Sequence, residues 1–418
     1  MEEGMTFRNK LTGGLVAVAT LLGSTAAFAG EITFWSWRQE DKAAYAEFIK
    51  DFNKKHPDVT VKFEAFEPTN YQTILSTALA AGKGPDVIQV RAYGNLETVA
   101  KPGYLLALDE TNVPELKGFP ASALKAESMR SDGKVYAVPF ASQTMLVLYN
   151  KDLFDKHGIA EPQTWDELLA ASKKLKDAGL SPFANGTATA WQNETIVSAL
   201  LSSQLGKGFE ADILSGKATF EDKRFVDALT KLNELKQYFA PSFSGIDYAS
   251  AQQLFIAGRA AMFAGGSFEA ANFLRQNPAL KIGVFAAPGL DKAAEKLVGV
   301  YYDGGYAVNA KSEKQADALK FVRYLATKDF GDKFANTLSN ISPIPGVEFK
   351  DPTLAKVAEL NKNSIPYLFL VNFRYQEPSG SVLIQAGVQK MMADKATPAE
   401  VGAEVTKGIA TYFEPFKK

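Results

Sequence analysis

The chain has 418 residues, 46% hydrophobic and 22% charged, a composition that excludes wholesale disorder and a fibrous repeat. Its 46 basic and 47 acidic residues nearly cancel, so it lacks the basic footprint of a nucleic-acid binder or a polybasic membrane protein. It has no cysteine and two histidines, which removes disulfides, thiolate metal centres and cysteine nucleophiles and disfavours a Ser-His-Asp triad. His56 lies in a charged turn, Lys54-Lys55-His56-Pro57, and His157 precedes Gly158 at a helix end. Both read as surface residues, so neither a metal site nor a cofactor is expected.

Met5 to Ala29 has the grammar of a targeting segment. Arg8 and Lys10 form a basic start, Leu15 to Leu22 a short apolar core, and Ala27-Phe28-Ala29 a small-x-small cleavage site. The apolar run falls short of the roughly 20 residues that span a bilayer. Residues 1–29 are therefore read as a signal peptide, cut after Ala29. A lipid anchor needs a cysteine after the cut, and none is present. For a bacterial source this points to a free periplasmic protein.

From Glu31 the pattern alternates. Glu31–Trp35 is a strand. Ala44, Tyr45, Phe48, Ile49 and Phe52 recur at helical spacing, and Val59, Val61 and Phe63 alternate as a half-buried strand. Tyr71, Ile74, Leu75, Ala78 and Leu79 form a second helical stripe, and Asp86–Val90 an apolar strand. Such β-α-β-α-β order implies a mainly parallel sheet covered by helices, with binding loops at the carboxyl ends of the strands. Gly133–Tyr149 reads as two extended runs around Ala141-Ser142. Thr164 with Glu167, and Ser312 with Gln315, have capping-box spacing. Helices are expected near 164–179, 193–206, 222–240 and 249–257, then short strands at 260–264, 281–285 and 306–309. At about 150 residues per domain the length suggests two or three domains, and no low-complexity linker separates them.

Several motifs in chain order resemble the bacterial extracellular solute-binding proteins of carbohydrate ABC transporters, the maltodextrin-binding-protein-like family. They are Gly84-Pro85-Asp86-Val87, Asp132-Gly133-Lys134-Val135-Tyr136 with Tyr149-Asn150-Lys151, Pro162-x-Thr164-Trp165, Phe255-x-x-Gly258-Arg259, and Gly304-Gly305. The resemblance covers residues 31–330. It implies a two-lobed α/β periplasmic-binding-protein fold, each lobe a mainly parallel sheet flanked by helices, with the ligand cleft between the lobes. It implies lobes of 31–142 with 299–343 and of 143–298 with 344–418, hinged near 141–143, 298–302 and 342–346. It implies a monomeric, non-enzymatic protein that delivers a sugar to inner-membrane permease subunits.

A sugar needs aromatic platforms and dense hydrogen-bond partners. Trp37, Arg38, Gln39, Glu40 and Asp41 follow the first strand, where Trp37 is read as a cleft residue and Trp35 as core. Gln89 and Arg91 end the third strand, where the family carries polar ligands. Gln143 stands where the family's maltodextrin-binding protein has an acid, which changes the hydroxyl pairing expected. Trp191 opens a helix from a polar loop and reads as a second platform; Trp165 reads as a structural staple. Gly266-Ser267-Phe268 matches the family's aromatic at a helix start. Tyr302 and Asp303 precede two glycines that leave room for a ligand, and Arg374 lies in the second lobe's late segment. Two alternatives stay open: a secreted glycoside hydrolase using a carboxylate pair, and an exported binder of a non-sugar solute.

Overall fold

The computed structural model describes residues 30–68 and 70–417; the signal-peptide segment lies outside them. Nine strands form one sheet: β1 Gly30–Ser36, β2 Val59–Ala65, β3 Val87–Arg91, β4 Val138–Asn150, β5 Ser181–Phe183, β6 Ala260–Gly266, β7 Ile282–Phe285, β8 Val298–Val308 and β9 Ser364–Pro366. Their order is β2-β1-β3-β8-β4-β6-β5, with β7 also on β4 and β9 also on β8. The β1, β2 and β3 pairings are parallel, as is β5 with β6. Their crossover helices, Lys42–Lys55 and Tyr71–Ala80, bury the large residues of the stripes seen in the sequence except Ile74, which is exposed. Antiparallel pairing enters through β4 and β8, which run against each other and against β3, β6 and β7.

These two long strands divide the interior. One apolar cluster draws on residues 32–141 and 306–344; two more draw on residues 145–298 and 341–416. β4 passes from the first cluster to the others in one continuous strand, not two runs. Its pairing with β8 slips between Pro139 and Ala141 and again between Ala141 and Ser142. Such irregularities bend a strand and sharpen its twist. Ser142 also donates its N–H to the Ile341 carbonyl at 2.7 Å, so a third segment crosses beside it.

Two start signals behave differently. Thr164 accepts the Glu167 N–H at 3.2 Å, as a cap should, while the Glu167 carboxylate reaches back to the Gln163 N–H at 2.7 Å. The Ser312 box does not form. The helix starts only at Gln315 with Lys314 as its N-cap, and Ser312 donates to Asp86 Oδ1 at 2.6 Å. Tertiary bonding to the β3 entry outcompetes the local cap. β8 also begins at Val298, well before the short strand expected at 306. The chain here carries glycines and tyrosines with no clean alternation, and its pairing comes from β4.

Candidate functional site

The two sets of clusters leave a large cavity of about 880 Å³ whose walls include Arg38, Glu40, Asp41, Gln143 and Asp303. A smaller one of about 170 Å³ is walled by Met145, Trp191, Thr195, Tyr367 and Arg374. Phe268 and Tyr301 line both. Aromatic faces and charged groups thus meet at one place, drawn from β4, β8 and helix starts on both sides.

Arg38 anchors the first wall. Its guanidinium pairs with Asp41 and reaches Asp303 at 3.4 Å and Glu40 at 3.8 Å. Burial pulls the guanidinium down, but Asp41 and Asp303 outweigh it and hold the charge firmly. Burial also raises the Asp41 carboxyl above its usual range, with Arg38 opposing. The larger cavity is therefore faced by a fixed cation shared among three carboxylates. Such preorganised, charge-assisted groups suit hydroxyls.

The platforms differ from expectation. Trp37 is only 4% exposed and belongs to the core. It packs on Tyr71 and Phe140, and the Arg91 guanidinium covers its ring at 4.5 Å. This corrects the reading of Trp37 as a cleft residue: the chain turns inward after β1 and carries the ring under Arg91. Trp35 is the half-buried one, against Phe66. Gln89 is likewise interior, accepting from Ser36 Oγ and donating to Tyr45 Oη at 3.4 Å. Gln39 is exposed and borders neither cavity.

Trp191 is 37% exposed, its ring edge-on to Tyr248 with centroids 4.7 Å apart. Trp165 is buried in the core as a staple should be. Phe268 opens the Phe268–Gln276 helix, and Gly266 gives its ring space: a Cβ there would lie 2.0 Å from Phe268. Ser267 works beneath the surface, accepting the Thr144 N–H at 3.1 Å and donating to Gln143 Oε1 at 3.3 Å. The Gln143 amide in turn donates to Asn340 Oδ1 at 3.2 Å, so its orientation is set from two elements.

On β8 the period of two decides which tyrosine faces the cavities. Tyr301 and Asp303 line the larger cavity; Tyr302 points away, its hydroxyl bonded to Ser122 at 2.9 Å. This corrects the choice of Tyr302. The two glycines also serve the protein, not a ligand. A Cβ at Gly304 would meet the Val90 carbonyl at 2.1 Å and Trp37 at 2.9 Å, and one at Gly305 would meet Ala137 at 2.6 Å.

Arg374 reaches the smaller cavity and is tied to Glu194 at 3.2 Å and Ser381 at 2.6 Å. Glu194 is buried and also accepts from Ser381 and Gln385. Glu194, Tyr301 and Tyr367 were not singled out in the sequence; strand period exposes Tyr301, but nothing local marks the other two. Glu127 is a further surprise. It is fully buried, neither carboxylate oxygen has a partner, and burial with Asp303 nearby raises it well above the carboxylate range. Among the described residues no group of three or more His, Cys, Asp or Glu could hold a metal ion, and no helix is long and apolar enough to cross a membrane.

Residues 35–331 match the family described as bacterial extracellular solute-binding protein. The "Multiple sugar-binding protein" of Streptococcus mutans is 25% identical over 349 residues, 81% of each chain. A "Probable sugar-binding periplasmic protein" of Rhizobium meliloti is 31% identical over 265 residues, 62% of this chain and 63% of that one. The solved structure of RafE in complex with raffinose superposes with a TM-score of 0.72 at 24% identity, over 93% of this chain and 100% of that one.

Proposed function

The chain belongs to the bacterial extracellular solute-binding protein family, and from that premise we propose that it captures a sugar, a di- or trisaccharide, for an ABC importer. One observation carries the reading: two adjoining cavities share Phe268 and Tyr301, with Trp191 and Arg374 on one side and Arg38 and Asp303 on the other. Stacking faces beside fixed charged partners match the two chemistries of a pyranose. Relatives named for sugar binding, and a like-folded protein holding raffinose, support it.

In this reading residues 31–142 with 299–343 form one lobe and residues 143–298 with 344–418 the other. They close on the sugar about the crossings at 141–143, 298–302 and 342–346. Trp191, Phe268, Arg374, Arg38, Glu40, Asp41, Asp303 and Gln143 meet the ligand; Gly266 leaves room for the Phe268 ring, Ser267 holds Gln143 and Arg91 covers Trp37. The protein is exported by cleavage after Ala29, acts as a monomer and passes its sugar to membrane permease subunits. We read it as a binder, not an enzyme, because the family and its named relatives are binding proteins.

Thermal unfolding against a panel of raffinose, lactose, maltose and xylo-oligosaccharides tests the reading. A sugar that binds the native state raises the melting temperature with concentration, and no hydrolysis products accumulate. Neither shift nor calorimetric heat from any sugar, with a polyamine or amino acid giving both, contradicts it.

A further inference from the structure

Glu269 has no place in the cavities, yet it stands directly behind both aromatic walls. It is the second residue of the Phe268–Gln276 helix and nearly fully buried. Phe268, its neighbour, faces the cavities; Glu269 turns the other way, into the interior. Tyr248 donates its hydroxyl to Glu269 Oε1 at 2.7 Å, and Gln252 donates its amide to Oε2 at 2.8 Å. Tyr248 is the ring against which Trp191 stands edge-on. The Tyr248 N–H also donates to Thr189 Oγ1 at 3.0 Å, two residues before Trp191. One carboxylate therefore links the helix that carries Phe268 to the ring and loop that carry Trp191.

We propose that Glu269 is a positioning residue for sugar binding, locking Tyr248 and through it Trp191 into the orientation a sugar ring stacks on. The inference rests on the carbohydrate reading above only for the identity of what stacks. Ionised, the carboxylate accepts two hydrogen bonds, and the one from Tyr248 is charge-assisted and stiff. Protonated, it holds the phenol less firmly and Trp191 gains freedom.

The groups facing the carboxylate are Tyr248 and Gln252 from the Tyr248–Ile256 helix. Gly265 of β6 closes on its stem, where a Cβ would lie 3.4 Å from Glu269 Cγ, and Tyr301 of β8 is near enough to Tyr248 to interact with it electrostatically. Among the described residues no cation pairs with Glu269. Burial, opposed by the two hydrogen bonds, pushes its carboxyl up to about 7, so the lock changes state across neutral pH. If sugar binding favours the ionised lock, binding must release protons there, by linkage.

The test begins without ligand. The Trp191 signal is the difference between the wild type and Trp191→Phe. Its quenching by acrylamide should increase as pH falls through about 7. Glu269→Gln and Tyr248→Phe should each abolish that transition while both variants keep the wild-type circular dichroism. Quenching that is flat with pH in the wild type, or a transition that survives in Glu269→Gln, overturns the proposal. Raffinose then serves as the probe. Calorimetry in buffers of different ionisation enthalpy should show proton release on binding to the wild type and none to Glu269→Gln. The affinity of that variant should be about three- to tenfold weaker. Raffinose binding equally well, with equal proton release, in both proteins also overturns it. No sugar of the panel binding at all, beside a clear quenching transition, leaves the lock standing and counts against the sugar assignment instead.

Discussion

Trp191 and Trp37 separate what a tryptophan does for binding from what it does for folding. Trp191 leaves over a third of its surface free and has one ring neighbour, Tyr248. Trp191→Ala should weaken sugar affinity at least tenfold, an effect of about 1.4 kcal/mol, and shift the melting temperature little. Trp37 packs on Tyr71 and Phe140 under the Arg91 guanidinium. Trp37→Ala should cost about 3–5 kcal/mol of stability, read in urea unfolding. Asp303 is a third case. Asp303→Asn keeps its shape but removes the charge held by Arg38. Affinity should fall about tenfold in calorimetry, with melting almost unchanged because Arg38 keeps Asp41. Equal affinity would leave Asp303 as a partner of Arg38 alone.

Burial gives a residue-scale pH effect as well. Glu269 is raised to about 7 in the folded protein from an ordinary value of 4.5, so between those values the folded state binds more protons than the unfolded state. Stability then falls as pH rises through that window and levels off above it. Glu127 is raised for the same main cause and acts with the same sign. Melting temperature against pH should show this decline in the wild type and a shallower one in Glu269→Gln.

At the scale of elements, caps and periodicity show what the sequence could and could not carry. Thr164 lies ahead of a strong apolar stripe, and its cap forms; Thr164→Ala should cost about 1 kcal/mol, measured by chemical denaturation. Ser312 has the same spacing, but Asp86 lies within reach and takes its hydroxyl. Ser312→Ala should therefore loosen the β3 entry and leave the helix start at Gln315 unmoved. The alternating β-α pattern from Glu31 to Val90 was legible because β1, β2 and both helices have one wetter and one drier face, while β3 is a short, mostly buried run preceded by Gly84-Pro85. β4 and the early part of β8 were harder to read. Both are covered on all sides or rich in glycine, so no period marks where they bend. The same limit explains the site. Of the residues lining the cavities, Trp191, Arg38 and Asp303 drew notice as polar or aromatic loop residues, and Phe268 through its match to the family motif. Glu127, Glu194 and Glu269 are buried acids whose meaning lies entirely in distant partners. Trp37 was misplaced because a polar loop sequence does not say which way the chain turns.

At the scale of the whole molecule, β4, β8 and the 341–344 segment are the crossings between the cluster of residues 32–141 and 306–344 and the rest. In the proposed reading the irregular β4–β8 pairings act as soft joints between two bodies, the usual basis of hinge closure. The Arg130 guanidinium sits 3.2 Å over the Tyr375 ring, a direct contact between the 32–141 part of the chain and its late segment. Arg130→Ala should leave the free protein more open and reduce affinity by a few-fold. Small-angle scattering of the protein alone and saturated with its sugar tests closure most directly. The account predicts a smaller radius of gyration with sugar bound. An unchanged radius, with calorimetry confirming saturation, contradicts it.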